Sequence, residues 1–285
     1  MKLKDSMFAG SWYPLDAEKC KRDINAFVSE FKGVESIGRP AFAAVVPHAG
    51  WFYSGKIACN AIRLLSEGEK PDLVVVFGMH MHTMSKPCLT DRGEWETPFG
   101  TLKVDEDFAS DFESESGLKF EKGWGNFIRD NTIELQMPFI RFFFGDVKVV
   151  GIGVPPSEAA LIAGRQVVRS AEKLGRKIKI VSSTDLTHYG ANYAFSPKGR
   201  GAAAVDWVKN VNDAGFIKKA CSLDPEAIIK EALYNHSACC PGSVAAFAAA
   251  VSEAGINAPA VLMDYYTSND IMQSDSFVGY AGILI

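Results

Sequence analysis

Histidine is scarce in this chain, and four of its five histidines follow segments typical of buried strands. Segment 41–46 precedes His48, segment 73–77 precedes His80 and His82, and segment 177–182 precedes His188. In open α/β sheets, ligands bind outside the carboxyl ends of the strands. Because imidazole binds metals and transfers protons near neutral pH, we expect these side chains to converge on one site.

The first of these histidines lies in the turn Pro47-His-Ala-Gly50, and a second glycine follows at Gly55. Glycine permits tight turns and a close approach of the backbone to a ligand. A neutral His48 can bind a metal while its second ring nitrogen is fixed by a carbonyl or a carboxylate. The alternative is a structural histidine in a turn.

Two more histidines, His80 and His82, are separated by one residue. In an extended segment, side chains two positions apart point the same way. Either histidine can therefore share a metal with His48. The alternative is a surface loop in which both are incidental.

Asp185 and His188 follow the strand at 177–182. A carboxylate and an imidazole at this spacing suit general acid–base catalysis, with Asp185 orienting His188. Ser182, Ser183 and Thr184 are expected to donate hydrogen bonds to a substrate oxygen. A serine hydrolase is disfavoured because the chain lacks a GxSxG elbow. The alternative is that Asp185 caps a short helix and His188 is structural.

A cysteine pair, Cys239 and Cys240, precedes a helix expected at 243–254. A thiolate at a helix N-terminus is stabilised by the helix dipole, which favours a nucleophile or a soft metal ligand. The alternative is that these cysteines are small apolar core residues. The fifth histidine, His236, is expected on the surface of the preceding loop.

Composition places the chain among ordinary globular proteins, with 285 residues, 47% hydrophobic and 22% charged. The net charge of −4 lacks the excess of positive charge that is typical of proteins that bind nucleic acid. No apolar run approaches the roughly 20 residues of a membrane span, and the N-terminus lacks an apolar signal core. We therefore expect a cytoplasmic protein whose six cysteines, without CxxC spacing, are free thiols.

The sequence predicts that strands and helices alternate along the chain. Core strands are expected at 42–46, 73–77, 147–153 and 177–182, a hairpin at 94–103, and closing strands at 258–265 and 276–285 that add antiparallel edges. Helices are expected at 16–31, 55–65, 106–114, 132–143, 158–174, 202–214, 225–231 and 243–254. This pattern predicts an α/β fold over residues 1–285, a single three-layer domain with a mixed, mostly parallel sheet and helices on both faces.

Seven motifs, taken in order, resemble those of the MEMO family, called AmmeMemoRadiSam system protein B in prokaryotes. They are Phe8-Ala-Gly-Ser-Trp-Tyr-Pro14, Pro47-His-Ala-Gly50, Trp95-Glu-Thr-Pro-Phe-Gly100, Thr132-Ile-Glu-Leu-Gln-Met-Pro-Phe139, Ser182-Ser-Thr-Asp-Leu-Thr-His-Tyr-Gly190, Tyr266-Thr-Ser268 and Val278-Gly-Tyr-Ala-Gly282. The resemblance implies a fold like that of class III extradiol dioxygenases of the LigB type. Those enzymes hold iron(II) through two histidines and a carboxylate, with positions left open for substrate and oxygen.

In the MEMO family a cysteine stands where those dioxygenases have the carboxylate, and the resemblance implies iron or copper as the metal. By the resemblance, His48 is the first metal histidine, Cys239 is the cysteine, and Asp185 and His188 are the polar pair that faces the site. Two departures concern the metal ligands. Either His80 or His82 replaces a histidine expected in a Gly-Pro-x-His motif, or that ligand is lost, and Cys240 stands where the family usually has glycine. The chain also has Asp-Asn-Thr at 130–132, where the family often has Glu-His-Ser, so one pocket histidine is missing.

Three functions remain open from the sequence. The first is a mononuclear metal site of His48, His80 or His82, and Cys239, serving redox or oxygen-dependent chemistry on an unknown small substrate. Iron(II) or copper is the expected ion, with zinc as a further candidate, and His188 is the expected acid–base group. The second is a non-catalytic module that binds a peptide or a phosphorylated ligand in the same cleft. The third is a metal-dependent hydrolase.

Overall fold

Strands and helices alternate along the chain, which the computed structural model describes at residues 3–122 and 130–285. The strands are β1 (Leu3–Lys4), β2 (Ala43–Val46), β3 (Leu73–Gly78), β4 (Cys88–Leu89), β5 (Glu94–Thr97), β6 (Gly100–Lys103), β7 (Glu121–Lys122), β8 (Lys148–Gly153), β9 (Ile178–Ser183), β10 (His188–Tyr189), β11 (Val261–Thr267) and β12 (Phe277–Leu284). The helices are α1 (Ala17–Ser29), α2 (Trp51–Leu65), α3 (Glu106–Ser116), α4 (Asn131–Glu134), α5 (Met137–Phe144), α6 (Glu158–Lys173), α7 (Ala202–Trp207), α8 (Ala214–Ser222), α9 (Pro225–Asn235), α10 (Pro241–Glu253) and α11 (Ser268–Ile271). A 3₁₀ turn covers Ala191–Tyr193, and a π-helical turn, Val208–Asp213, joins α7 to α8.

A nine-stranded mixed sheet forms the centre of the fold, in the order β10-β12-β2-β9-β3-β8-β4-β7, with β11 paired to β12. Strands β2, β9, β3 and β8 run parallel to one another, and β12 runs antiparallel to β2. These central strands are rich in valine and isoleucine and buried on both faces, as strands covered by helices must be. Their carboxyl ends consequently meet at one edge of the sheet.

Helices cover both faces of this sheet. α10 packs on β9, β3 and β2 and against α6, while α2 packs on β2 and β12 and against α1 and α5. The predicted α/β class, with a mixed sheet between two helical layers, is confirmed. Within the described residues, no helix is long and apolar enough to cross a membrane.

Three expectations about the elements need correction. Helix α2 begins at Trp51 rather than at Gly55, because the Trp51 ring stacks on Phe139 with ring centroids 4.2 Å apart and secures the first turn. The closing strands are antiparallel as expected, but β12 lies inside the sheet instead of at its edge. The helix expected at 202–214 continues to Ser222 through the π-helical turn.

Candidate metal site

The chemically active side chains lie in loops at the carboxyl edge of the central sheet. His48, His80 and Asp185 each stand two residues after the end of a parallel strand, namely β2, β3 and β9. Cys239 stands two residues before α10, which packs on the same strands. The strand order thus brings together residues that are far apart in sequence.

His48 is almost fully buried, with 1% of its surface exposed, and both of its ring nitrogens have neighbours. Its Nδ1 lies 2.8 Å from the Ser183 Oγ, and its Nε2 lies 3.2 Å from the Cys239 Sγ. The backbone N–H of His48 donates to the Asp185 carboxylate at 2.7 Å. The contacts with Ser183 and Asp185 therefore orient His48 so that its Nε2 points at the Cys239 sulfur. Metal-binding histidines are oriented in the same way, through the ring nitrogen that does not bind the metal.

The surroundings of Cys239, opposite His48, favour its thiolate form. Burial raises the pKa of Cys239, but a hydrogen bond from Cys240 and the charge of His48 outweigh it and hold the pKa well below its ordinary range. Burial also lowers the pKa of His48, but the charges of Asp185 and Cys239 raise it to about 9. The Asp185 N–H donates to the sulfur at 3.3 Å. A cation that binds both side chains must therefore displace a proton from His48.

A strained turn after β3 presents His80. Met79 has a φ of 74°, a left-handed conformation that costs a residue with a side chain about 1–2 kcal/mol. Its N–H donates to the Thr132 Oγ1 at 2.7 Å, and its side chain fills the space beside Gly153, where a Cβ would lie 2.2 Å from the sulfur. The His80 ring consequently meets the His48 ring edge-on, with centroids 5.0 Å apart.

Four donor atoms, from His48, His80, Cys239 and Cys240, lie within 4.8 Å of one another. Cys240 and His48 are buried, whereas His80 is exposed and Cys239 is partly exposed. Imidazole and thiolate donors suit iron, copper or zinc, while magnesium and calcium prefer oxygen. The cluster is therefore chemically adequate for one transition-metal ion that is reached from one side.

His82 lies outside this cluster and is exposed. The left-handed backbone at Met79 precedes both histidines, and the His80 ring is the one that meets the His48 ring. The chain turns after His82, where the Ser85 N–H donates to the His82 carbonyl at 2.9 Å. Of the two candidates, the structure brings His80 to His48.

Asp185 and His188 lie in the same loop but do not form a hydrogen-bonded pair. The Asp185 carboxylate holds the His48 backbone and lies 4.0 Å from its Nε2. The His188 Nδ1 instead lies 3.1 Å from the Leu186 carbonyl, and its ring meets Tyr193 edge-on. Asp185 therefore orients His48, in contrast to the expectation that it orients His188. The Leu186 carbonyl favours a proton on Nδ1, and Nε2 of His188 has no hydrogen-bond partner among the residues that the structure describes.

The hydroxyls of Ser182, Ser183 and Thr184 are buried and lie within hydrogen-bonding distance of other protein groups. The Ser182 hydroxyl donates to the Ser243 Oγ at 3.2 Å, and the Thr184 hydroxyl donates to the Asp185 carbonyl at 2.9 Å. The expectation that these three groups face a substrate is therefore wrong. Parallel strand β9 carries them into the sheet, where they support the loop that holds the site.

A buried carboxylate, Asp213, supports the His188 loop from the π-helical turn. It accepts hydrogen bonds from the Thr187 N–H at 3.0 Å, from the Thr187 hydroxyl and from the Tyr265 hydroxyl at 2.7 Å. Burial raises the pKa of Asp213 to about 6 even though these hydrogen bonds oppose the change. π-Helical turns are frequent at functional sites, and this one directs Asp213 at the residue before His188.

Of the cluster, His48 and His80 line a cleft of about 690 Å³, which Asp185 and His188 also line. Its walls include aromatic and amide side chains that the sequence analysis missed: Trp12, Phe52, Tyr53, Asn131, Asn192, Tyr193 and Tyr280. Only Asn131 touches the site backbone, donating to the His48 carbonyl at 2.9 Å. Their spacing carries no local signal, because they come from segments that only the tertiary fold brings together. Among the described residues that line this cleft, none is lysine or arginine, and Asp185 is the only acid.

A second cleft of about 450 Å³ reaches Cys239 from the other side of His188 and Tyr193. His236 lines this cleft, with its ring 5.3 Å from that of Phe195. His236 is exposed, as expected, and it does not join the donor cluster. A larger groove of about 1010 Å³ adjoins the main cleft at Trp12 and Phe52 and lacks the metal-donor residues.

Comparisons with known proteins give a consistent result. A family model described as "Memo-like protein" matches residues 4–284. A MEMO1 family protein of Pyrococcus furiosus is 31% identical over 99% of both chains, and one of Methanosarcina acetivorans is 30% identical over 100% of both. The crystal structure of an uncharacterized protein from Escherichia coli K12 has a TM-score of 0.52 and 12% identity, and it covers 84% of this chain and 98% of that one. That likeness concerns the fold alone.

Proposed function

The chain belongs to the Memo-like protein family, and we propose that it binds one metal ion through His48, His80 and Cys239. In this proposal the ion serves redox or oxygen-dependent chemistry on a small molecule in the main cleft. The thiolate makes iron(II) or copper the preferred ion, with zinc as the alternative.

The observation that carries this proposal is the approach of the His48 Nε2 to the Cys239 Sγ, at 3.2 Å. Metal–nitrogen bonds of about 2.0–2.1 Å and metal–sulfur bonds of about 2.3 Å place two ligand atoms of one ion about 3.1 Å apart at a right angle and about 3.6 Å apart at the tetrahedral angle. The His80 donor lies within 4.8 Å of both atoms. The ligand pair is thus already spaced for one ion, and Ser183 holds His48 in the required orientation.

The chain itself supplies the remaining functional groups of the proposed site. A bound redox-active ion supplies electron transfer or oxygen activation. His188, with Nε2 free, accepts or donates a proton at the substrate, and Leu186 fixes its tautomer. Asp185 positions His48, and aromatic side chains, including Tyr193, line the cleft beside it.

Elemental analysis of protein purified without a metal-affinity tag tests this proposal. We expect about one transition-metal ion per chain in the unmodified protein and a loss of most of it in His48→Ala and Cys239→Ser. Matched controls are His82→Ala, which removes a neighbouring histidine outside the cluster, and Cys221→Ser, which removes a thiol elsewhere. Equal metal contents in all five proteins would refute the site.

A peptide-binding module is the second candidate, because exposed aromatic side chains border the cleft. Trp12 is 38% exposed and Phe52 is 69% exposed, and both line the cleft and the adjoining groove. The lack of lysine and arginine in the described cleft walls disfavours a phosphorylated ligand, which needs cationic partners. Peptide binding that chelators leave unchanged, and that Trp12→Ala and Phe52→Ala weaken, would favour this function over the metal site.

A metal-dependent hydrolase is the third candidate, since two histidines and a cysteine leave a fourth position for water on zinc. Such an enzyme would cleave simple esters or amides in a reaction that a chelator stops and zinc restores. Zinc-dependent cleavage by an iron- and copper-free protein would favour this candidate over redox chemistry.

A further inference from the structure

Cys240 is a second thiol at the donor cluster. It is the N-cap residue of α10 and is 3% exposed. Its N–H donates to the Thr184 Oγ1 at 3.1 Å, and its Sγ lies 3.7 Å from the Cys239 Sγ. The backbone on either side of the pair is anchored, because the Cys239 N–H donates to the Asp185 carbonyl at 3.1 Å. These hydrogen bonds therefore fix the backbone that carries both sulfurs close to the two histidines.

The separation of the two sulfurs matches that of two ligands of a tetrahedral ion. In a tetrahedron with metal–sulfur bonds of about 2.3 Å, two sulfurs lie about 3.8 Å apart, and a sulfur and a nitrogen lie about 3.6 Å apart. The observed separations are 3.7 Å between Cys239 and Cys240 and 3.2 Å between Cys239 and His48. The widest separation in the set, within 4.8 Å, closes to a tetrahedral edge when side chains move by about 1 Å.

A disulfide between the two cysteines is the competing use of the second thiol. Adjacent Cα atoms are about 3.8 Å apart across a trans peptide, whereas ordinary disulfides need about 4.4–6.8 Å. Neither residue has a cis peptide bond. Joining the sulfurs would therefore strain the backbone at the anchored start of α10, whereas a shared ion leaves them at their present distance.

We propose that Cys240 is the fourth ligand of the metal in the substrate-free protein, completing a closed set of two imidazoles and two thiolates. The proposal rests on the metal site of His48, His80 and Cys239. Binding releases the Cys240 proton to solvent, and the two thiolates then neutralise a divalent cation. The set favours thiophilic ions that accept tetrahedral coordination, Zn²⁺ or Cu⁺. A substrate or water then reaches the ion only when it displaces Cys240.

X-ray absorption at the zinc K-edge of the zinc-loaded, unmodified protein counts the sulfurs directly. We expect two sulfurs at about 2.3 Å and two nitrogens at about 2.0–2.1 Å. One sulfur per ion would overturn the role of Cys240 while leaving the three-residue site intact. No zinc bound at micromolar concentration would overturn the closed four-ligand set, whereas elemental analysis of the native protein decides the three-residue site.

Cobalt(II) in place of zinc gives a second test through variants, because each bound thiolate contributes to the sulfur-to-metal charge-transfer band. Cys240→Ser and Cys239→Ser should each lower the band intensity per bound cobalt to about half, and Cys221→Ser should leave it unchanged. Serine is a good N-cap residue, so α10 should keep its start in Cys240→Ser.

Affinity alone does not decide the question, because residues that only orient ligands also change it by about 10–100-fold. The band intensity per cobalt does decide it. A Cys240→Ser spectrum equal to that of the unmodified protein, beside a Cys239→Ser band that disappears, would show a single thiolate and refute the proposal. Thermal unfolding of the metal-free variants checks that each remains folded.

Discussion

Replacing Asp213 by asparagine should remove a specific pH dependence of stability. Burial raises the pKa of Asp213 from its ordinary 3.8 to about 6. Between these values the folded protein binds a proton that the unfolded chain has lost, so the stability that protonated Asp213 contributes falls as pH rises from about 4 to about 7. The change of about two pKa units corresponds to about 3 kcal/mol.

The assay is urea unfolding of both proteins from pH 4 to pH 7.5, followed by tryptophan fluorescence, with a chelator present. Without metal, the pH dependence of the ligand residues is common to both proteins and cancels in the difference. The free energy of unfolding of the native protein, minus that of Asp213→Asn, should fall by about 3 kcal/mol across this range. The lost hydrogen bond to Tyr265 or Thr187 adds an offset that does not change with pH.

Asp270→Asn is a control whose pH dependence has the opposite sign and lies below the assay range, so its native-minus-variant difference should stay constant from pH 4 to pH 7.5. Burial raises the pKa of Asp270, but the hydrogen bond from Lys209 outweighs it and lowers the pKa below its ordinary value. The stability that Asp270 contributes is therefore lost as pH falls below about 4. A native-minus-variant difference for Asp213→Asn that stays constant with pH, or that rises with pH, would refute the account of Asp213 as a buried acid.

Three further changes test how the site is supported. Gly153→Ala places a Cβ against the Met79 sulfur, so it should destabilise the protein by about 1–3 kcal/mol and weaken metal binding, measured by chemical unfolding and chelator competition. Ser183→Ala frees the His48 ring and should weaken metal binding by about 10–100-fold with the four donors intact; unchanged affinity would exclude its orienting role. His188→Gln should keep the bound metal, by elemental analysis, and abolish turnover once a substrate is found.

The sequence predicted the central strands to within about two residues, because their valine and isoleucine runs satisfy a sheet covered on both faces. It also placed His48, His80 and Cys239 at element ends, which the strand order then brought together. It could not predict that β12 lies inside the sheet, because strand order depends on pairings between distant segments. The early start of α2 likewise depends on Trp51 stacking on Phe139.

The sequence could not predict which of His80 and His82 lies next to His48, and the reason is local. The left-handed backbone at Met79 changes the direction of the chain. A glycine or asparagine at that position would have indicated such a conformation, but the residue is methionine. The hydrogen bond from the Met79 N–H to Thr132 of α4 stabilises this conformation, and Gly153, which has no side chain, leaves room for the Met79 side chain. Similarly, the burial of Ser182 and Thr184 follows from the packing of α10 on β9.

The central claim is that one metal ion lies between His48, His80 and Cys239. Anomalous diffraction from crystals of the native protein, recorded on both sides of the iron, copper and zinc absorption edges, locates and identifies that ion in one experiment. The account predicts a single peak at about 2.0–2.3 Å from the imidazole nitrogens of both histidines and the Cys239 sulfur. A metal-containing crystal whose anomalous peak lies elsewhere would contradict it.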